Sequence, residues 1–162
     1  MAVAEIIGTA IGTMLLLMVA YLLVGNVLTT AEVVSSAQKD LTLLSEMRLH
    51  TDLTITNVTV AGNPVNAINL TVKNTGTEII SDFPHTDVFV YQAGGSGYAE
   101  YPFSTADAVE STWHGFILND YVHPGELDPG ESMYVNAYFP PGTVPYQVLM
   151  CTNNGVYASR IV

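Results

Sequence analysis

The side chains best able to exchange protons lie close together in one short segment, which contains Asp120, His123 and Glu126. Two carboxylates and an imidazole are the groups that general acid–base catalysis uses most often. The pair Pro124-Gly125 between them is typical of a loop, so the spacing fixes no catalytic geometry. The segment alone therefore does not indicate an active site.

Three histidines are candidates for pH-sensitive docking, because an imidazole changes charge near neutral pH. They are His85, His114 and His123, and each also fits an ordinary solvated or hydrogen-bonded side chain. The sequence has no P-loop, dinucleotide fingerprint, nucleophile elbow or metal-ligand spacing. We predict no enzymatic activity, no cofactor and no metal.

Cys151 is the single cysteine, which excludes an intrachain disulfide. It ends the apolar run that begins at Val148, so we expect a buried thiol packed as a small hydrophobe. An intermolecular disulfide and a reactive thiol are the two alternative roles for Cys151. The triplets that start at Asn57 and Asn69 fit N-glycosylation acceptors, provided that this part of the chain faces outside.

The charge balance is strongly acidic, with a formal net charge of −11. From Asp52 onward, eleven Asp and Glu oppose Lys73 and Arg160, which gives −9. Nucleic-acid binding is disfavoured, because phosphate contacts need Lys and Arg. An acidic surface suits solubility in salt or docking onto a basic or cation-coated partner.

The N-terminal region contains an uncharged apolar run from Ile6 to Leu28, directly after Glu5. As a helix it would span roughly 34 Å, slightly more than the ~30 Å hydrocarbon core of a bilayer. A signal peptide would have a basic start and a small-residue cleavage site, yet no Lys or Arg precedes Lys39. We predict a retained membrane helix over 6–28. The core of a filament would bury such a helix equally well.

The helical pattern continues past the apolar run as an amphipathic segment over 29–49. Its apolar stripe predicts a partner surface and consists of Val34, Ala37, Leu41 and Leu44, widened by Val33, Leu43 and Met47. One helix over about 3–48 would be roughly 68 Å long. Gly8 and Gly12 lie four residues apart, a spacing that lets two membrane helices approach closely.

Beyond His50 the apolar period changes from helical to alternating. About seven short strands separated by Gly, Pro and Asn turns predict a β-sandwich. The segment from Gly97 to Glu110 shows no convincing element. The predicted fold is α+β overall, with a long N-terminal transmembrane α-helix over 1–50 and an all-β sandwich domain over 51–162.

The order of parts, with Glu5, a long helix and then a sandwich, is pilin-like. The chain resembles the archaellum (archaeal flagellum) accessory proteins of the FlaF type and their sister FlaG type, within the archaellin and type IV pilin-like superfamily. The matching segments are Leu44 to Thr54, Leu70 to Gly76, Asp87 to Tyr91, Leu127 to Glu131 and Asn153 to Val156.

The resemblance implies an immunoglobulin-like sandwich and a structural, non-enzymatic role in motility. A family member would be a single-pass protein of the cell envelope, anchored by its N-terminal helix, with an extracellular (pseudoperiplasmic) C-terminal domain. It would act as a stator that holds the rotary motor against the surface layer. The implied partners are the surface-layer protein, the sister accessory protein and a second copy of the chain in a dimer or homo-oligomer.

Two other functions stay open at this point. A minor pilin or archaellin-like filament subunit would bury its helix among copies of itself, but the basic residue plus glycine that marks processing in such subunits is missing. A membrane-tethered module for a small ligand or sugar is the other alternative. The resemblance transfers no binding residue.

Overall fold

The computed structural model describes residues 2–61, 66–92 and 97–162. Within them one long helix precedes eight strands, and a short 3-10 turn, Phe83–His85, precedes β3. The elements are α1 (Ala2–His50), β1 (Leu53–Ala61), β2 (Ala67–Asn74), β3 (Asp87–Gln92), β4 (Tyr98–Tyr101), β5 (Thr112–Leu118), β6 (Ser132–Tyr138), β7 (Pro145–Cys151) and β8 (Tyr157–Ile161). The chain divides into two compact units between Leu43 and Leu44.

The first unit contains the α1 residues up to Leu43, whose side chains are exposed from Val3 onward. Its threonines satisfy their hydroxyls inside the helix, as Thr9 does by donating to the carbonyls of Glu5 and Ile6 at 3.0 and 2.9 Å. Among the described residues, one helix, Val3–His50, is long and apolar enough to cross a membrane. A helix whose backbone and hydroxyl groups are bonded internally meets the requirement that lipid imposes.

The second unit is a sandwich of two four-stranded antiparallel sheets, in the orders β1-β2-β6-β5 and β4-β3-β7-β8. Side chains alternate across each strand, so every second residue points between the sheets. Ile68, Leu70 and Val72 of β2 are fully buried there, as the alternation predicted. The sandwich and its N-terminal apolar helix confirm the predicted fold class.

Trp113 of β5 lies at the centre of the core and is fully buried. Its indole N–H donates to the Thr86 carbonyl at 2.9 Å, which satisfies the one polar group that the ring brings inside. The ring packs edge-on against Phe103, with the ring centroids 4.9 Å apart. The indole hydrogen bond thus ties β5 of the first sheet to Thr86, the residue before β3 of the second.

Two expectations about the strands were wrong. Tyr98–Tyr101 forms β4, because its backbone pairs with Val88 to Tyr91 of β3 although its own sequence has no clear pattern. Cys151 is half-buried rather than buried, because it follows the buried Met150 and so points to the opposite face of β7.

The last turn of α1 is bonded to the sandwich through the turn that follows β2. The His50 carbonyl accepts hydrogen bonds from the N–H groups of Thr77 and Glu78, at 2.8 and 3.1 Å. Gly76 is required here, since a Cβ at this position would lie 2.5 Å from the Asp52 nitrogen. A helix-end carbonyl that would otherwise lack a partner is thereby satisfied.

The two sheets are also tied together along one side of the sandwich. The β1–β2 register shifts between Ile55 and Asn57, which marks a β-bulge. Arg160 of β8 donates through Nη1 to the carbonyls of Ile55 and Thr56, at 2.8 and 2.7 Å. The bulge thus turns backbone carbonyls towards a charged donor on the opposite sheet.

Candidate functional site

The acid–base cluster suggested by the sequence is not assembled. The Asp120 carboxylate accepts a hydrogen bond from the Gly125 N–H at 2.7 Å. His123 instead pairs with Asp128, with Nδ1 2.9 Å from Oδ1. The backbone N–H of Glu126 donates to the His123 carbonyl at 2.9 Å. The Glu126 charge adds a smaller upward shift to the His123 pKa than Asp128 does.

Asp128 is the residue that the sequence analysis missed. It is a buried carboxylate that lies in the Leu127-Asp128-Pro129-Gly130 turn, which the sequence marks only as a turn. Its hydrogen bond and its charge raise the pKa of His123. The sequence signal for this pair is an Asp five residues after a His, with Pro-Gly between them. That spacing does not predict a contact, because it occurs equally with side chains that do not meet.

The other two histidines have partners of their own. His85 Nδ1 lies 2.8 Å from Asp82 Oδ1, and Asn153 donates to the other oxygen at 3.0 Å. These two hydrogen bonds, the one from His85 first, lower the pKa of Asp82. His114 donates from Nδ1 to the Ser104 carbonyl at 3.0 Å. The three histidines of the sequence prediction therefore share no common partner.

Among the described residues, no group of three or more His, Cys, Asp or Glu side chains lies close enough together to hold a metal ion. Cys151 gives no sign of a reactive thiol either. Burial and the charge of Asp87 raise its pKa, and Arg48 opposes them only in part. A raised pKa keeps the thiol protonated and weakly nucleophilic.

Four further candidates lie on exposed or half-exposed positions. Gly8 and Gly12 have nothing within 4 Å of where a Cβ would be, so another helix could approach there. Asn57 is exposed beside the β1 bulge, whereas Asn69 is half-buried in β2, between β1 and β6. Helix association and glycosylation at these positions stay predictions.

A cavity of about 330 Å³ opens beside β5. Phe83 and Phe103 form one part of its wall, and Ile117 and Met133 form another. Asp120 also lines it, and Asp120 Oδ1 is buried without a hydrogen-bond partner among the described residues. Asn136 Oδ1 of β6 is the other buried side-chain oxygen without a partner among the described residues. An unpaired buried carboxylate oxygen is costly, so Asp120 at this cavity needs an explanation.

No family model matches the sequence. An uncharacterized protein of Archaeoglobus fulgidus is 31% identical over 156 residues, which cover 95% of this chain and 89% of that protein. The chain belongs to the same family as this archaeal protein. The match includes both the helix and the sandwich, since it spans nearly the whole chain.

Two solved structures resemble the chain in fold. The archaellum periplasmic stator protein FlaG from Sulfolobus acidocaldarius has a TM-score of 0.51 and 18% identity, over 69% of this chain and 99% of that one. A chain of the FlaF and FlaG stator complex from the same organism has a TM-score of 0.50 and 17% identity, over 68% and 87%. The Archaeoglobus protein thus shows the family of the chain, whereas the Sulfolobus structures show its fold.

Proposed function

We propose that the chain is a non-enzymatic, membrane-anchored component of the archaellum machinery that holds the rotary motor against the surface layer. One observation carries this proposal, namely that a sandwich with the fold of the stator proteins follows an uncovered apolar helix in the same chain. A stator needs an anchor and a docking domain, and the two compact units supply one candidate for each.

The anchor is the segment over 6–28, whose leucines include Leu16 and Leu17, each about 70% exposed. Exposed apolar area on that scale is unfavourable in water at about 25 cal/mol per Å², so lipid or other helices must cover it. We place the sandwich outside the membrane, in the cell envelope. The amphipathic continuation over 29–49 would pack against a second copy or a sister subunit.

The docking domain is the acidic sandwich, and its partners in this proposal are the surface-layer protein and a sister accessory protein. One of the two similar Sulfolobus structures is a complex of FlaF with FlaG, which supports pairing of this kind.

The test is a swimming assay in an archaeon that encodes the chain. Deletion of the gene should abolish spreading in soft agar, and the wild-type gene should restore it. A variant with Leu16→Arg and Leu17→Arg should fail to restore it, because each arginine at a helix centre opposes insertion by about 2.5–3.5 kcal/mol.

The matched control carries Ser35→Arg and Gln38→Arg, which add the same charge to α1 beyond residue 28 and should restore swimming. Fractionation of the cells distinguishes a membrane-anchored stator from a filament subunit, because it shows which fraction contains the chain. The chain should stay with the envelope, and its recovery in sheared filaments would overturn the stator role. Unchanged swimming after deletion would overturn any role in motility.

A further inference from the structure

The first sheet ends at β5, and a neighbouring segment covers the beginning of its outer edge. The backbone N–H of Trp113 donates to the Pro102 carbonyl at 2.9 Å, and the backbone N–H of Ser104 donates to the Trp113 carbonyl at 2.8 Å. Phe103 runs parallel to Trp113 as an isolated bridge. The backbone groups of Trp113 therefore point away from β6, towards the edge.

The rest of that edge is open. Backbone groups point to alternate sides along a strand, so those of Gly115 and Ile117 face the same side as those of Trp113. Neither residue has a backbone partner on that side among the residues the structure describes. An edge strand with free N–H and C=O groups can pair with another extended chain.

The cavity described above lies at this open part of the edge, since Gly115 and Ile117 both contribute to its wall. Its other walls include the rings of Phe83 and Phe103, which are half-buried. A volume of about 330 Å³ admits one long side chain. Asp120 Oδ1 is buried at this cavity and needs a hydrogen-bond donor.

Charge indicates what that donor is. The sandwich from Asp52 onward has a formal charge of −9, and Lys73 and Arg160 are its cations. Arg160 already donates to β1. Aromatic faces beside a carboxylate favour an ammonium or guanidinium group, through cation–π attraction and a charged hydrogen bond.

The geometry points to a docking site for an extended segment of a partner protein that carries a lysine or arginine. The segment pairs through its backbone with Gly115 and Ile117, and its basic side chain passes Phe83 and Phe103 to donate to Asp120. This site follows from the edge, the cavity and the charge, and it stands whether or not the chain is a stator.

The experiment titrates the full chain in nonionic detergent with short synthetic peptides of alternating threonine and valine. The first peptide has a central lysine, the second has glutamine there, and the third is the lysine peptide with N-methyl groups on its edge-facing amides. Trp113 reports binding, because it is the single tryptophan and its ring packs against Phe83 and Phe103. The lysine peptide should bind at least about tenfold more tightly than either other peptide.

Asp120→Asn is the decisive variant. An asparagine keeps an oxygen for the Gly125 N–H but presents an NH₂ group where the unpaired oxygen was. It should weaken binding of the lysine peptide about tenfold, while leaving the melting temperature unchanged. The matched control is Glu100→Gln on the exposed face of β4, which removes the same charge from the other sheet and should change binding less than twofold.

Three outcomes would overturn the proposal. They are no binding of the lysine peptide at millimolar concentration, equal binding of the lysine and glutamine peptides, and equal affinities of wild type and Asp120→Asn. Tight binding of the N-methylated peptide would overturn the strand pairing alone. If Asp120→Asn lowers the melting temperature, the comparison of peptides on the wild-type chain still decides.

Discussion

At the residue scale, the pairing of His123 with Asp128 is the clearest titratable contact of the sandwich. Asp128 raises the pKa of His123, first through the hydrogen bond and then through its charge. Because the pKa of His123 is higher in the folded state, the pair makes its full contribution to stability at pH values below 6.5, the ordinary pKa of histidine. That contribution is lost as the pH rises through the higher pKa of the folded state.

We predict that the ring signals of His123 titrate with a midpoint above 6.5 and that Asp128→Asn moves this midpoint down towards 6.5. Two-dimensional NMR of the imidazole signals measures both, and a His123→Gln variant assigns the resonance. Asp82→Asn is the control, because Asp82 bonds His85 instead. A midpoint that Asp128→Asn leaves in place would contradict the pairing.

The sequence predicted the titratable residues but not their partners. His123 and Asp128 meet because the chain between β5 and β6 closes on itself, with Gly125 in the left-handed region at φ +93°. A pattern of residue types holds no information about such closure. Cys151 was misplaced for a related reason, because a continuous apolar run hides the alternation of a strand.

At the element scale, the contact of the last turn of α1 with the turn after β2 depends on one glycine. Gly76→Ala would bring a Cβ onto the His50 carbonyl and the Asp52 nitrogen, both of which are backbone atoms with little freedom to move. We predict a loss of about 1–3 kcal/mol in the free energy of unfolding. Urea titrations followed by Trp113 fluorescence measure it.

The control for that substitution is Gly25→Ala, where nothing lies within 4 Å of the added Cβ. Alanine is a better helix former than glycine, so the urea midpoint of the sandwich should not fall. Equal urea midpoints for Gly76→Ala and wild type would show that the turn accommodates the methyl group with no loss of stability. That result would contradict the close contacts at Gly76.

Strands with strong alternation were predictable, and weak strands were not. Ile68, Leu70 and Val72 mark β2 by themselves, because their side chains fill one face of it. Tyr98–Tyr101 becomes β4 only because β3 offers it a partner, which is a tertiary effect that local propensity does not contain. The open edge of β5 likewise follows from strand order.

At the scale of the whole molecule, the acidic charge balance of the sandwich determines the expected response of its stability to salt. A formal charge of −9 from Asp52 onward repels itself in the folded state, and salt screens that repulsion over a Debye length of about 10 Å at 0.1 M. We predict that added NaCl raises the melting temperature, by about 4 °C for each 1 kcal/mol gained.

Thermal melts of the full chain in nonionic detergent, followed by Trp113 fluorescence, test this. A variant with Glu100→Gln and Glu110→Gln carries less charge and should gain less from the same salt. Both glutamates are exposed, so the substitutions leave the core unchanged. A melting temperature that falls with salt would mean that attractive pairs outweigh the repulsion.

The junction at His50 also determines how a load would enter the sandwich. Only Thr51 and Asp52 separate the end of α1 from the start of β1. A force on the backbone at His50 is transmitted along two paths. One path follows the chain into β1, and the other passes through the hydrogen bonds from the N–H groups of Thr77 and Glu78 into the turn after β2. Because β1 and β2 are paired along their length, both paths reach the same two strands and load them together instead of peeling one from the other.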